Sequence, residues 1–314
     1  MPKTLLITGA TGFVGHHLVQ RRLAAGDTVI VLTRDPQRAR TVLGSGVQVV
    51  SKLEQLANDR RIDALVNLAG EPILGIPWIA ARRRILLASR VGTTQSLVQF
   101  AARLSQRPAV LVSASAIGYY GPRGDEELDE SNPPQRCFQS QLCQRWEAAA
   151  IAAEPLGMRV VRLRIGVVYG RDGGALPMLA RPTRLGLGAV LGHGCAYNAW
   201  IHLEDLLDLI EFALGNPSLS GAVNAVAPQA VTHAATQRAL ADVLRRPLWL
   251  RVPGFFLRVA LGEMSQLLLD GQRVVPARAL AEGFKFKHPE IRAALSDLLI
   301  PTSGHARQRS STSG

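Results

Sequence analysis

Thr8-Gly9-Ala10-Thr11-Gly12-Phe13-Val14-Gly15 sets three glycines between a short apolar run, Leu5-Leu6-Ile7, and a helix-like stretch, His16 to Ala25. A strand that enters a helix through small residues leaves the first helical N–H groups free to face a phosphate. Gly9 permits the tight turn, Gly12 keeps side-chain bulk off a pyrophosphate, and Gly15 lets the helix lie close to the strand. Thr11, Phe13 and Val14 complete the backbone of this cradle. A chain with 29 glycines generates such spacings by chance, so the strand-to-helix context carries the reading. The chemistry it points to is the holding of a dinucleotide.

The run Thr28-Val29-Ile30-Val31-Leu32 reads as a second parallel strand and ends at Thr33-Arg34. An Asp or Glu at that place would accept a hydrogen bond from a free ribose 2′-hydroxyl. Arg34 cannot accept one, but it can clamp a 2′-phosphate, with Arg38 or Arg40 as a second cation. NADP(H) is therefore the expected cofactor. Asp35 argues the other way, and a solvated Arg34 at a helix start is the plainer alternative.

The elements that must position these residues alternate between apolar strands and helix-like segments, the pattern of a doubly wound parallel α/β sheet. Strands are expected over 4–8, 28–33, 48–51, 64–68, 109–113 and 159–164, and helices over 15–25, 37–43, 79–102 and 142–154. Thr8, Thr33, Leu68, Ser113 and Arg164 then meet at one crevice, at the carboxyl ends of the strands. Beyond about residue 170 the pattern loosens, with substrate-side insertions expected from about 171. We divide the chain into a dinucleotide-binding domain, 1–230, an α-rich substrate-side subdomain, 231–300, and a disordered tail, 301–314.

Composition narrows the function classes. The net charge of +12 is spread along the chain, and four lysines among 36 basic residues leave 32 arginines, which compositional bias would also produce. A dedicated nucleic-acid role is disfavoured, although a basic face on the fold would revive it. No run is long and apolar enough to span a lipid bilayer, so no membrane partner is expected. The first strand begins almost at Met1, which leaves no room for a leader and gives a cytoplasmic reading. Cys137, Cys143 and Cys195 have no metal-ligand spacing, so reduced thiols and no metal site are expected.

Thr8 to Gly15, Asn67-Leu68-Ala69-Gly70, Ser113-Ala114-Ser115-Ala116 and Trp200-Ile201-His202-Leu203-Glu204-Asp205 resemble the successive motifs of an extended short-chain dehydrogenase/reductase. More narrowly, Ser89-Arg90-Val91, Gly118-Tyr119-Tyr120-Gly121, Trp146-Glu147 and Gly283-Phe284-Lys285-Phe286 resemble the atypical branch called epimerase-family proteins. That branch carries a C-terminal domain of unknown function, here about 248–295. The resemblance implies a Rossmann fold, with Leu68, Ala69 and Gly70 beneath the adenosine and Arg164, Gly166 and Val167 along the nicotinamide. It also implies that Thr93 supports the 68–70 loop and that Asn67 bonds within the protein.

Family chemistry uses a Tyr and a Lys four residues apart on one helix face, with a Ser to position the substrate oxygen. Aligned on Trp146-Glu147, Gln139 stands where the Tyr belongs and Cys143 where the Lys belongs. No lysine occurs anywhere between Leu53 and Phe284. Ser115 persists at the place resembling the catalytic Ser, and Tyr119 and His202 are the remaining candidates for proton transfer, each with a structural alternative. If one of Arg82, Arg83 and Arg84 points inward, an anionic small-molecule substrate follows.

The leading reading is an NADP(H)-dependent oxidoreductase or epimerase-like enzyme, monomeric or homodimeric, acting on a small molecule without the usual dyad. A non-catalytic NADP(H) sensor or interaction protein is the alternative, and RNA binding is a weaker one.

Overall fold

The computed structural model describes residues 2–300. Seven strands, β1 (Thr4–Thr8), β2 (Thr28–Leu32), β3 (Val47–Val50), β4 (Ala64–Asn67), β5 (Val110–Ala116), β6 (Arg159–Ile165) and β7 (Gly221–Ala225), form one sheet. Its order is β7-β6-β5-β4-β1-β2-β3 and every pairing is parallel. The expected doubly wound sheet is present. Its order reverses at β1, which pairs with β2 on one side and β4 on the other, so the crevice opens beside the carboxyl end of β1.

Strand periodicity builds a core on each face. Leu5, Ile7, Val29, Val31 and Val66 pack with α1 (Phe13–Ala24) and α2 (Pro36–Leu43). Leu6, Ile30, Leu65 and Leu111 point the other way, against α4 (Thr93–Arg103) and α5 (Phe138–Ile151). Full burial of each such side chain contributes about 1.5–3 kcal/mol.

Two expectations change in detail, and one strand is new. The helix expected over 79–102 is α3 (Ala80–Leu87) joined to α4 through a widened π turn, Ala88–Gly92. The helix expected from 142 begins four residues earlier, as α5, and ends at Ile151. The seventh strand, Gly-Ala-Val-Asn-Ala, carries too little apolar bulk to announce itself. Farther on, α6 (Leu203–Gly215) follows a strand Trp200–His202, and the last part holds mainly short helices, ending in α7 (Ile291–Leu299). The tail expected to be disordered lies outside the described residues. Among the described residues no helix is long and apolar enough to cross a membrane.

Candidate functional site

Two of the glycines after β1, Gly9 and Gly15, are held by backbone contacts that no side chain could share. Gly9 has φ +70°, and a Cβ on it would lie 2.5 Å from the carbonyl carbon of Leu68. A Cβ on Gly15 would lie 2.2 Å from the Gly9 carbonyl oxygen, so α1 rests directly on the turn. Gly12 caps α1 with its backbone, and its N–H donates to the Gly9 oxygen at 3.0 Å. No acidic residue stands in the first turn of α1 and no side chain caps it. The N–H groups of Phe13 and Val14 have no intrahelical acceptor, so this end presents partial positive charge to an anion.

Phe13 also reaches across the crevice. Its ring fills the space that Cβ atoms on Gly170 and Gly173 would need, each at 2.3 Å from a ring carbon. His17 Nε2 lies 3.2 Å from Asp172 on the same turn.

At the end of β2, Thr33 and Arg34 stand where the sequence placed them. Asp35 caps α2 by accepting the Arg38 N–H at 3.0 Å, so its carboxylate serves the helix and not a ribose. The Arg34 side chain is 87% exposed and donates to Glu71 Oε1 at 2.8 Å, which holds the Glu71 carboxyl below its usual range. Arg38 and Arg40 are exposed.

The loop after β4 is fastened by the π turn. Ser89 Oγ accepts the Glu71 N–H at 3.1 Å, and Arg90 donates to the Glu71 carbonyl at 2.9 Å. Arg90 also sits 5.2 Å over the Trp146 ring and 3.2 Å from where a Cβ on Gly70 would be. Thr93, expected to hold this loop, bonds the Ser89 carbonyl of its own helix, and it is Thr94 that reaches Asn67, at 2.8 Å. Asn67 is fully buried and accepts from Thr8 Oγ1 at 2.6 Å. Leu68 and Ala69 remain partly exposed beside Gly9.

The α5 edge is built differently. Glu147, 4% exposed, accepts Ser115 Oγ at 2.8 Å, Arg164 Nε at 2.8 Å, Arg164 Nη2 at 3.1 Å and Arg162 Nη1 at 3.0 Å. Arg164 donates further to Tyr120 Oη at 2.9 Å, and Tyr120 in turn to Asn224 at 2.6 Å. Burial opposes the charge on Arg164, but its bonds and attraction to Glu147 raise its pKa above the ordinary value. Burial pushes the Tyr120 phenol up to about 12, so Tyr120 stays neutral.

This corrects the expectation for Arg164, whose guanidinium points into the protein, 3% exposed, and not along a cofactor. Gly166 and Val167 likewise spend their N–H groups internally, on Ala225 and Ala199 at 3.1 and 2.8 Å. Ser115 gives its proton to Glu147, so it keeps only lone pairs for a ligand. Tyr119 lies with its ring 3.4 Å beneath the Arg164 guanidinium, and its carbonyl accepts Ser140 Oγ at 2.6 Å. Among the described residues no hydrogen bond engages the Tyr119 hydroxyl.

Gln139 and Cys143 are both buried. Burial, and next the Glu147 charge, push the Cys143 thiol up to about 12, which keeps it neutral.

His202 is corrected more firmly. Its Nδ1 caps α6 by accepting the Glu204 N–H at 3.1 Å, and its ring stacks on His288 at 3.7 Å. Burial, then the neighbouring His288, hold its pKa down to about 4, so near neutrality it is the uncharged imidazole and a poor general acid. It is a helix cap at the seam with the C-terminal segment.

Sequence reasoning missed Glu147 as the centre of a network. The signal was available: Arg162 and Arg164 share one face of a strand whose remaining interior residues are apolar, and a cation turned toward the core demands an acid.

Residues 5–227 match the family model described as NAD dependent epimerase/dehydratase family, and residues 252–298 match a domain of unknown function, DUF1731. The chain is 38% identical over 302 residues to the chloroplastic homolog of epimerase family protein SDR39U1 from Arabidopsis thaliana, covering 94% of this chain and 86% of that one. It is 35% identical to epimerase family protein YfhF from Bacillus subtilis, covering 94% and 97%. Among solved structures, human epimerase family protein SDR39U1 with NADPH superposes with a TM-score of 0.85 at 34% identity, over 94% of this chain and 98% of that one. This chain is thus a member of the NAD dependent epimerase/dehydratase family, of the epimerase-family type that carries the DUF1731 domain.

Proposed function

We propose that the chain binds NADP(H) and acts as a reductase or epimerase-like enzyme on a small molecule, without a Tyr/Lys pair. The observation that carries the cofactor choice is the division of labour after β2: Asp35 is committed to capping α2, while Arg34 stays exposed at the crevice. A 2′-phosphate carries more charge than the single Glu71 carboxylate now paired with Arg34, and it offers oxygens for a bidentate grip. The human relative solved with NADPH supports the same choice.

Bound nicotinamide would supply or accept the hydride, and the protein has to place the substrate and handle one proton. Tyr119 is the group left for that proton, with its ring clamped by Arg164, its carbonyl held by Ser140 and its hydroxyl uncommitted. Ser115, fixed by Glu147, accepts a hydrogen bond from a substrate hydroxyl. The C-terminal segment, 231–300 in this reading, serves as the substrate-side cover. A cytoplasmic setting accords with three free thiols, although one plant relative is named chloroplastic.

The test is NADPH consumption by the purified protein across a panel of carbonyl compounds. Turnover with some member is expected, and Tyr119→Phe should slow it about 100-fold while NADPH affinity is unchanged. Tight NADPH binding with no turnover across a broad panel would favour the non-catalytic sensor.

A further inference from the structure

Beside the α5 edge lies a cavity of about 350 Å³, within the range of small-ligand sites, that the proposed proton chemistry does not use. α3 and α5 form two of its walls, and the segment Gly262–Leu269 from the C-terminal domain forms the third. Met264 of that segment packs in one cluster with Trp78 and Leu142, so the wall is anchored.

The lining is unusual in its polarity. Arg83 and Arg136 supply two guanidinium groups, and Gln139, Gln141 and Gln266 supply three amides. Gln139 is only 3% exposed and its Oε1 has no hydrogen-bond partner among the described residues. An unpaired buried amide oxygen is destabilising, and a ligand hydroxyl that donated to it would relieve that cost. Arg83 is held in place: its Nε donates to the Trp78 carbonyl at 2.7 Å, and its plane sits 4.6 Å over the Phe138 ring. Its outer nitrogen, Nη2, meets Glu263 Oε2 at 2.5 Å. Glu263 is 58% exposed on a short turn that follows Gly262 at φ +54°. Arg136 is exposed and has no carboxylate partner among the described residues.

A carboxylate is therefore already seated on Arg83, and it comes from a solvent-facing side chain that can leave. We propose that this cavity is the substrate subsite, that it takes a small hydroxyl-rich anion through a carboxylate or phosphate on Arg83 and Arg136, and that Glu263 is the internal occupant such an anion displaces. The amides of Gln139 and Gln266 read the hydroxyls. The proposal rests on the oxidoreductase reading, because Gln139 belongs to the α5 edge that this reading makes the substrate side. Carboxylate and phosphate share the oxyanion chemistry that two guanidinium groups recognise, and the probes separate them.

The test is calorimetric titration of glucuronate, glucose 6-phosphate and neutral glucose into the NADPH-loaded protein and its variants. Saturable binding of at least one anion and none of glucose is expected. Glu263→Gln should tighten the anion about tenfold, and Arg136→Gln should weaken it about tenfold. Because Arg83 also braces Trp78, Arg83→Lys serves as the milder second variant, expected to weaken the anion with the thermal midpoint retained. Equal binding of glucose and glucuronate, or a Glu263→Gln protein that binds neither anion, overturns the proposal. NADPH titrated alone into each variant should be unchanged. If NADPH fails to bind even the unmodified protein, the parent reading falls, and anion titration of the unloaded protein still decides the subsite.

Discussion

The two edges of the crevice are made from different materials. On the α1 edge the working parts are backbone N–H groups, and Gly9 and Gly15 are required because neighbouring backbone carbonyls occupy the space of a side chain. On the α5 edge the working parts are side chains, tied into a buried network around Glu147 that reaches from Ser115 to Asn224. Backbone recognition depends on shape and tolerates changes of surface residue. Side-chain recognition depends on each partner, so it can be rebuilt with new residues while the fold stays the same. The contrast explains how one edge can keep the glycine pattern while the other has Gln139 and Cys143 at the positions that resemble the dyad.

The largest expected effect breaks the α5 edge. Glu147→Ala leaves the buried Arg164 and the half-buried Arg162 without their acid, and urea unfolding should show a loss of about 3–5 kcal/mol. A loss under 1 kcal/mol would mean that the two cations find other partners and that the network is incidental. Next comes the α1 edge. Gly15→Ala drives a methyl group into the Gly9 carbonyl and the Ala10 backbone, and should cost about 1–3 kcal/mol of stability together with most of the NADPH affinity, read by fluorescence titration. Smallest is Arg34→Ala, which should weaken NADPH about tenfold and leave NADH unchanged, since the exposed guanidinium, now on Glu71, would meet the nucleotide at its 2′-phosphate alone. Equal losses for both nucleotides would move the specificity away from Arg34.

The same contrast decides what could be read from sequence. The glycine turn and the six strands expected were legible because each follows from local rules: a φ that favours glycine, a carbonyl that excludes a Cβ, a run of β-branched residues. By residue type Asp35 rivals Arg34, but its carboxylate sits on the Arg38 N–H, a contact that depends on where α2 begins. Arg164 was located correctly at the end of β6 yet aimed wrongly. Its direction is set by Glu147, which lies on α5, and by Tyr120 beyond β5. His202 was read by its chemistry as a proton donor, whereas the start of α6 and the stacked His288 make it a neutral cap. β7 went unread because its Asn224 is a buried polar residue whose partners, Tyr120 and Val275, are far away in sequence.

Phe13 ties the cradle to the chain beyond β6, for its N–H sits at the phosphate-facing end of α1 while its ring plugs the turn at Gly170 and Gly173. That plug works as a pin. The turn can swing only if α1 moves with it, so it cannot be the hinge by which the crevice admits and releases its ligands. The moving part falls to the opposite wall, where Met264 stays packed with Trp78 and Leu142 and the exposed Glu263 side chain is the piece left to swing, without disturbing the glycine cradle.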